Sequence, residues 1–431
     1  MLIMFRLKNF ASFKDEIILD MRAISYKDMK NHVWENEKNK VVKTLAIYGK
    51  NASGKSNLIS ALYYFESFVY NQFFGADDRD DDLHLIEKMP NIRRNTFKLS
   101  ATKDNDSEFE IIFYHAGRTY QYGFVIQDIP EKKKYRILEE WLLIDDKTVF
   151  DRKGDIIEAG KKYEFEIKKI NKKREDRLYI GLLDYFAEGE VKNIVDGFKE
   201  YLKNKFNVHF ELILESSVKG LVSRVSFSER LVKDMEYRKT VEQFIRVADV
   251  GIAKLNVKKT TDERIKEQHP YEIQTVHNVY DANGSVVREE FFNLDMESSG
   301  TIRYFSFIQY ILDIIEDGGV FIVDELSARL HPILTKFIVD LFQGKKNKEA
   351  QLIFTTHDIS LMNRKQLRRD EIAFVEKNER GESSLYTLAD IKARSDASFS
   401  KDYMSGKYGA IPVIDENYLN NEMVGEWLWQ D

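Results

Sequence analysis

The sequence predicts an α/β fold with an antiparallel β lobe and a helical insertion. Three observations carry that prediction. The first is Gly49-Lys50-Asn51-Ala52-Ser53-Gly54-Lys55-Ser56, which fits G-x-x-x-x-G-K-[ST] without a mismatch. The second is Gly319-Val320-Phe321-Ile322-Val323-Asp324-Glu325, an apolar run that ends in two carboxylates. The third lies between them, where the spacing alternates like strands over 96–150 and turns helical from about 178 to 250. No heptad pattern runs long enough for a long coiled coil.

The first motif sits in the context it requires. Thr44-Leu45-Ala46-Ile47-Tyr48 ahead of it reads as a buried strand. Leu58, Ile59, Leu62, Phe65 and Val69 behind it fall three or four residues apart, the apolar stripe of a helix. Glycines let successive backbone N–H groups curl around phosphates, and the helix N-terminus adds partial positive charge. Lys55 is expected on the β- and γ-phosphates, and the Ser56 hydroxyl on Mg²⁺. Asn57, directly after it, is counted with the loop. The expected ligand is ATP with Mg²⁺.

Composition narrows the class. Hydrophobic residues make up 43% with only 5 prolines, which argues for a packed globular chain rather than a disordered one. Lys and Arg total 66 against 72 Asp and Glu, so no global basic field exists and any nucleic-acid contact must rest on a local patch. Cysteine is absent, which excludes disulfides and cysteine-ligated zinc. No apolar run approaches the ~20 residues of a membrane span, and the N-terminus lacks a signal-peptide core. A soluble, cytoplasmic protein with no membrane contact is expected.

In order, residues 2–20 read as two strands around a turn at 9–12. The loop and its helix follow, then an acidic run at 77–82 that reads as a solvated loop. Strands are expected at 97–101, 109–115, 119–126 and 141–144, with Ala116-Gly117 as a hairpin turn. Gln127 ends one of them, either as an exposed side chain or as a γ-phosphate sensor. The lysine-rich run 161–173 reads as a solvated face. Helices are expected at 191–206 and 229–247, and a second β segment over about 253–294.

Behind a phosphate loop, the acidic strand reads as Walker B. Asp324 would hold Mg²⁺ through its water shell, and Glu325 would polarise the attacking water as general base. Gln351-Leu352-Ile353-Phe354-Thr355-Thr356-His357 is another buried strand, ending in a histidine placed to contact the γ-phosphate. More than half the chain separates Lys55 from Asp324, far beyond the spacing of GTPases or hexameric AAA+ motors.

Just ahead of the acidic strand stands Glu297-Ser298-Ser299-Gly300-Thr301-Ile302-Arg303, followed by a helical pattern. This Ser-x-Gly turn resembles the signature motif of ABC-type ATPases, although it departs from L-S-G-G-Q at most positions. The resemblance implies that Ser298, Ser299 and Gly300 grip the γ-phosphate bound by an opposite subunit. Ser327-Ala328-Arg329-Leu330-His331-Pro332 stands where that family carries its D-loop. Its Leu-His-Pro ending resembles the branch that holds OLD nucleases and related phage-defence ATPases.

The tail segments 370–376, 384–388 and 403–412 look like the closing segment of RloA/AbiL-type ATPases, relatives of the PARIS ATPase subunit. The resemblance is strongest over 1–70 and 290–412 and faint over 150–280. It implies an ABC/SMC-like P-loop ATPase head in three parts. Residues 1–177 and 253–431 would form its two halves, with 178–252 as the helical insertion.

The resemblance also implies the biology. The chain would be the ATP-hydrolysing sensor of a bacterial anti-phage, abortive-infection system. It would form a homodimer or higher oligomer and control a separately encoded, nuclease-like effector in response to a phage trigger. Phe374-Val375-Glu376 could pass for the opening of a Toprim nuclease domain. No Asp-x-Asp pair follows Glu376, however, so the chain itself is not expected to be the nuclease. The alternative is a RecF-like DNA-repair ATPase that binds DNA directly, against which the acidic pI near 5.9 weighs. Arg364, Lys365, Arg368 and Arg369 are either a solvated helix face or a weak DNA contact. A structural nucleotide is disfavoured by Glu325, and a transporter ATPase by the divergent signature and the large insertions.

Overall fold

The computed structural model describes residues 1–26, 29–73, 95–101, 105–129, 134–170, 174–209, 227–261, 270–391 and 398–412. The acidic run 77–82 and the lysines at 172 and 173 lie outside them. The chain begins with β1 (Leu2–Lys8), β2 (Ile17–Asp20), β3 (Val33–Glu35), β4 (Lys40–Val42), β5 (Thr44–Tyr48) and α1 (Lys55–Gln72). It continues with β6 (Asp106–His115), β7 (Arg118–Ile129), β8 (Lys134–Ile144), β9 (Lys147–Lys153) and β10 (Ile156–Ala159).

The middle holds α2 (Glu164–Lys168), α3 (Tyr179–Phe186), α4 (Gly189–Glu200), β11 (Phe206–His209) and α5 (Met235–Ala248). Then come β12 (Ile252–Lys259), β13 (Tyr271–Tyr280), β14 (Val286–Asn293), α6 (Ser299–Asp317) and β15 (Gly319–Val323). The last are α7 (Pro332–Gln343), β16 (Ala350–Thr355), β17 (Ile372–Lys377), β18 (Ser383–Thr387) and α8 (Phe399–Met404). Among the described residues no helix is long and apolar enough to cross a membrane.

A six-stranded sheet in the order β11-β15-β16-β5-β17-β18 forms the centre. Its strands pair in parallel except β18, which returns antiparallel to β17. β5 and β15 are buried along their whole length, as strands covered on both faces must be. Parallel pairing brings the carboxyl ends of β5, β15 and β16 side by side, where open α/β sheets place their ligands.

A seven-stranded antiparallel sheet, β10-β9-β8-β7-β6-β1-β2, forms the β lobe. α1 lies between the two sheets. Its Leu58, Leu62, Phe65 and Val69 are fully buried in one core with Leu45 and Ile47 of β5 and Phe109 and Phe124 of the lobe. Phe65 stacks on Phe124 with centroids 5.9 Å apart and meets Phe5 edge-on at 5.6 Å. Truncating such a ring to alanine costs about 3–5 kcal/mol. On the other face of the central sheet, Ala46, Phe321 and Phe354 pack with Tyr304, Phe307 and Ile308 of α6.

Three segments depart from the expected elements. Residues 97–101 form no strand. Instead, the Phe97 N–H donates to Asn9 Oδ1 at 2.8 Å and the Ala11 N–H to the Asn95 carbonyl, which ties the segment across the 9–12 turn. The helix expected over 191–206 ends at Glu200, passes through a π turn at Tyr201–Lys205, and gives way to β11. Phe206 and Val208 are buried, and β11 lies in parallel register against β15, Phe206 opposite Val320. The helical insertion proposed at 178–252 therefore contains an edge strand of the central sheet. Finally, 229–247 is interrupted at Asp234, whose carboxylate accepts the Tyr237 N–H at 2.9 Å and caps α5.

Candidate functional site

The phosphate loop leaves β5 at Tyr48 and enters α1 at Lys55. Gly49 has φ +157°, and a Cβ there would lie 2.4 Å from the Val375 carbonyl of β17. Gly54 has φ +118°, and a Cβ there would meet Ser12 Oγ and Ser383 Oγ at 2.7 Å. At both positions neighbouring chain presses so close that only glycine fits.

The pressing groups are themselves bonded. Ser383 Oγ donates to the Ser53 carbonyl at 2.6 Å, and the Ser383 N–H donates to the Ser12 carbonyl at 2.8 Å. Ser12 Oγ accepts the Asn57 amide at 2.8 Å. Ser12 and Ser383 thus brace the loop from opposite ends of the chain, and no local pattern marks either one.

Lys55 is buried, and its Nζ donates to the carbonyls of Gly49 at 2.9 Å and Lys50 at 3.3 Å. Burial lowers its pKa, against the nearby Glu325 and Asp324 charges. An ammonium satisfied by its own loop carbonyls can exchange them for phosphate oxygens as a ligand enters. Ser56 stands exposed in the first turn of α1, so its hydroxyl is free to face a cation at the helix N-terminus.

Asp324 and Glu325 leave the end of β15. The Asp324 N–H is held by the His209 carbonyl at 3.2 Å. Thr355 Oγ1, on the last residue of β16, donates to Asp324 Oδ1 at 2.6 Å and accepts the Glu325 N–H at 2.7 Å. Glu325 adopts φ +50°, a left-handed backbone that a side-chain-bearing residue keeps only when its surroundings fix it. His357 follows two residues beyond Thr355. Partial burial and the Lys55 charge hold its imidazole below the ordinary range, against Glu325 and Asp324. Lys55, Asp324, Glu325 and His357 therefore lie within one another's electrostatic reach at the carboxyl ends of three adjacent strands.

The next turn is tied to the same strand. Ser327 Oγ shares a hydrogen bond of 2.8 Å with Thr356 Oγ1, and the Ala328 N–H reaches the Glu325 carbonyl at 3.0 Å. His331 Nδ1 accepts the Ile333 N–H at 3.2 Å, and Pro332 occupies the first turn of α7. The Leu-His-Pro ending is thus a helix start, with a capping acceptor followed by a residue that needs no N–H partner.

The Ser298-Ser299-Gly300 turn opens α6. Ser298 Oγ accepts the Thr301 N–H at 3.1 Å as N-cap. A Cβ on Gly300 would lie 2.8 Å from the Arg329 carbonyl, so this turn packs closely on the segment after Glu325. Among the described residues no hydrogen bond joins it to the phosphate loop.

Two other candidates fall elsewhere. Gln127 belongs to the β lobe, where its amide donates to Asp106 Oδ1 at 2.6 Å and accepts from Arg136 Nε at 2.8 Å. The basic cluster is not a helix face. Arg368 is 2% exposed and pairs with Asp370 at 2.6 Å, whereas Arg364 and Lys365 are exposed. Arg368 fails as a contact because Asp370, itself buried, takes its charge. The neighbouring Glu371 bonds Thr44, at the amino end of β5, so the cluster lies at the opposite end of that strand from the loop.

The sequence profile of the ATPase family described as "AAA domain, putative AbiEii toxin, Type IV TA system" matches residues 45–363, well over half the chain. This chain belongs to that AAA family. The match runs from β5 past the histidine of the site, while Ser12, the basic cluster from 364 onward and the β17–β18 brace lie outside it. Its fold accords with that family: a phosphate loop between β5 and α1 of a mostly parallel sheet, with an antiparallel β lobe and no long coiled coil among the described residues.

Solved structures similar to this member of the family include heads of SMC proteins. One is an SMC head bound to the C-winged helix domain of ScpA: 13% identity, 94% of this chain and 99% of that one, TM-score 0.46. The SMC head domain from Thermotoga maritima shows 12% identity over 90% of this chain and 98% of that one, TM-score 0.39. A head with an extended coiled coil, bound to the C-terminal domain of ScpA derived from Pyrococcus furiosus, shows 11% identity over 94% and 98%, TM-score 0.40. No curated protein matches the chain.

The residues present fit Mg²⁺ and ATP. Close contact at Gly49 and Gly54 fixes the loop backbone ahead of the α1 N-terminus, a setting whose N–H groups suit phosphate. Ser56 and Asp324 supply hard oxygen donors, as Mg²⁺ prefers, and that ion would neutralise charge on the phosphates. Lys55 would hold the phosphates, Glu325 would take a proton from water, and His357 would donate to the terminal phosphate.

Proposed function

We propose that this chain binds and hydrolyses Mg-ATP and uses that cycle as the sensor subunit of a bacterial abortive-infection system. One observation carries the enzymatic part. Lys55 and His357 stand within electrostatic reach of Asp324 and Glu325 where three parallel strands end. A phosphate-binding cation, a metal-binding carboxylate and a general base are the parts that phosphoryl transfer to water requires. Glu325→Gln should bind ATP with about unchanged affinity while hydrolysis falls roughly a hundredfold or more, the scale of losing a general base. Unchanged turnover in that variant removes Glu325 from the role.

The signature turn supports a composite site. Ser298, Ser299 and Gly300 open α6 just ahead of β15, where ABC-type ATPases carry their signature, and are proposed to close on nucleotide held by a second copy. The branch assignment, close to OLD, RloA/AbiL and PARIS-type ATPases, rests on the Leu-His-Pro start of α7 and the 403–412 tail. The family's description, with its AbiEii and toxin–antitoxin terms, supports the abortive-infection role. In this reading the ATPase restrains a separately encoded, nuclease-like effector until a phage product disturbs the complex. The test is co-expression with the neighbouring gene under phage challenge. Protection should need both genes and an intact Lys55. Protection by this chain alone puts the toxic activity inside these residues and rejects the division of labour.

A further inference from the structure

Arg303 stands one helical turn into α6, four residues after Ser299, on the buried side of that helix. Its side chain is 8% exposed, with the guanidinium 5.1 Å from the Phe307 ring centroid. Nη2 donates to the Glu325 carbonyl at 2.7 Å and to the Asp324 carbonyl at 3.3 Å. The two peptide groups that flank the Glu325 Cα are thus held from different elements. Thr355 of β16 grips the N–H side, and Arg303 of α6 grips the carbonyl side.

Between these grips the backbone sits at φ +50°, so the direction of the Glu325 carboxylate depends on both being in place. The turn that starts α6 is packed against the Arg329 carbonyl through Gly300. Any shift of that turn therefore has two buried routes to the segment around Glu325, and one of them ends on its carbonyl.

We propose that Arg303 is a positioning residue, which passes the state of the Ser298–Gly300 turn to Glu325 of the same subunit. The inference rests on the composite-site reading above. In a dimer, the signature of one subunit closes on the nucleotide of the other. Arg303 then sets the base of the subunit that carries that signature. The two sites become coupled: occupancy of one aims the base of its neighbour, with no direct contact between the two nucleotides.

Heterodimers of the full chain, purified through two different tags, test this. Subunit one is unaltered and subunit two carries Glu325→Gln, so both sites bind ATP but only the site with Glu325 of subunit one turns over. Arg303→Met in subunit one should lower kcat at least tenfold and leave KM within about twofold. The same change in subunit two should leave turnover near that of the parent heterodimer. Arg303→Lys in subunit one, which keeps the buried charge, should recover part of the loss. It also serves as the working variant if the methionine protein melts early.

Equal losses from either subunit, or a loss only from subunit two, overturn the inference, because a general packing role or direct support of the signature would do that. Ser298→Arg in subunit two is the separate control. It should abolish the live site, and retained turnover there rejects the composite site itself, and this inference with it.

Discussion

Thr355 holds Asp324: its hydroxyl donates to Oδ1 at 2.6 Å, and the same oxygen accepts the N–H of Glu325 at 2.7 Å. One side chain at the end of β16 thus orients the proposed metal-binding carboxylate and the backbone of the proposed base. Both contacts need a hydroxyl, since the oxygen must give a proton and receive one at once. The isosteric Thr355→Val keeps the buried volume and removes both bonds. It should cost about 1–3 kcal/mol of stability from the stranded N–H.

In the same variant, kcat should fall by roughly ten- to a hundredfold through misplacement of the carboxylates. ATP affinity, which Lys55 and the loop dominate, should change by less than about threefold, and Thr355→Ser should restore turnover. Steady-state hydrolysis and nucleotide titration check this. A valine variant with parental kcat would assign Thr355 a packing role alone.

His209 makes a prediction about acid. Its ring is buried against Phe307, Tyr310 and Phe321, and burial, with the Arg303 charge, pushes its pKa down to about 3 from the ordinary 6.5. Between those values the unfolded chain binds a proton that the folded chain refuses. Stability is therefore full above pH 6.5 and falls as pH drops, by at most about 1.4 kcal/mol per pH unit. His209→Phe removes this group from the balance. Relative to the parent, the variant should gain about 2 kcal/mol between pH 7 and pH 5 in urea unfolding. Parallel pH slopes for the two proteins would mean that His209 titrates in the fold as it does in the unfolded chain.

Much of this architecture was legible because its signals are local. The phosphate loop is eight contiguous residues whose glycines answer to contacts at Val375, Ser12 and Ser383. The apolar run 319–323 became β15 because a strand buried on both faces needs no alternation. Ser298 could be read as a helix start, since capping joins residues only three apart.

What escaped is non-local. Ser12 and Ser383 meet across nearly the whole chain, and Arg303 and Thr355 matter only because α6 and β16 flank β15. β11 was read as helix because four residues behind a helix carry too little period to show, and its partner β15 lies far downstream. Arg368 was grouped with its basic neighbours because sequence shows charge but not burial.

That regrouping changes how DNA binding should be tested. Arg368 donates to Asp370 at 2.8 and 2.6 Å and to the Ile24 carbonyl at 3.0 Å, and Asp370 in turn accepts the Ile24 N–H at 2.8 Å. Arg368→Ala would leave a buried carboxylate without its cation, a loss of about 3–5 kcal/mol. A variant with all four basic residues replaced would therefore lose DNA binding by unfolding, whether or not DNA touches the cluster. Arg364 and Lys365 are exposed, and their joint replacement by alanine should stay within about 0.5 kcal/mol of the parent in stability. If this cluster meets phosphates, that pair alone should weaken DNA binding and lower the slope of log K against log salt by about two. Unchanged affinity and slope, with Arg368→Ala melting markedly earlier than the parent, would make the cluster a structural clasp between the 24–26 segment and the sheet. The direct DNA-binding alternative would then lose the one surface proposed for it.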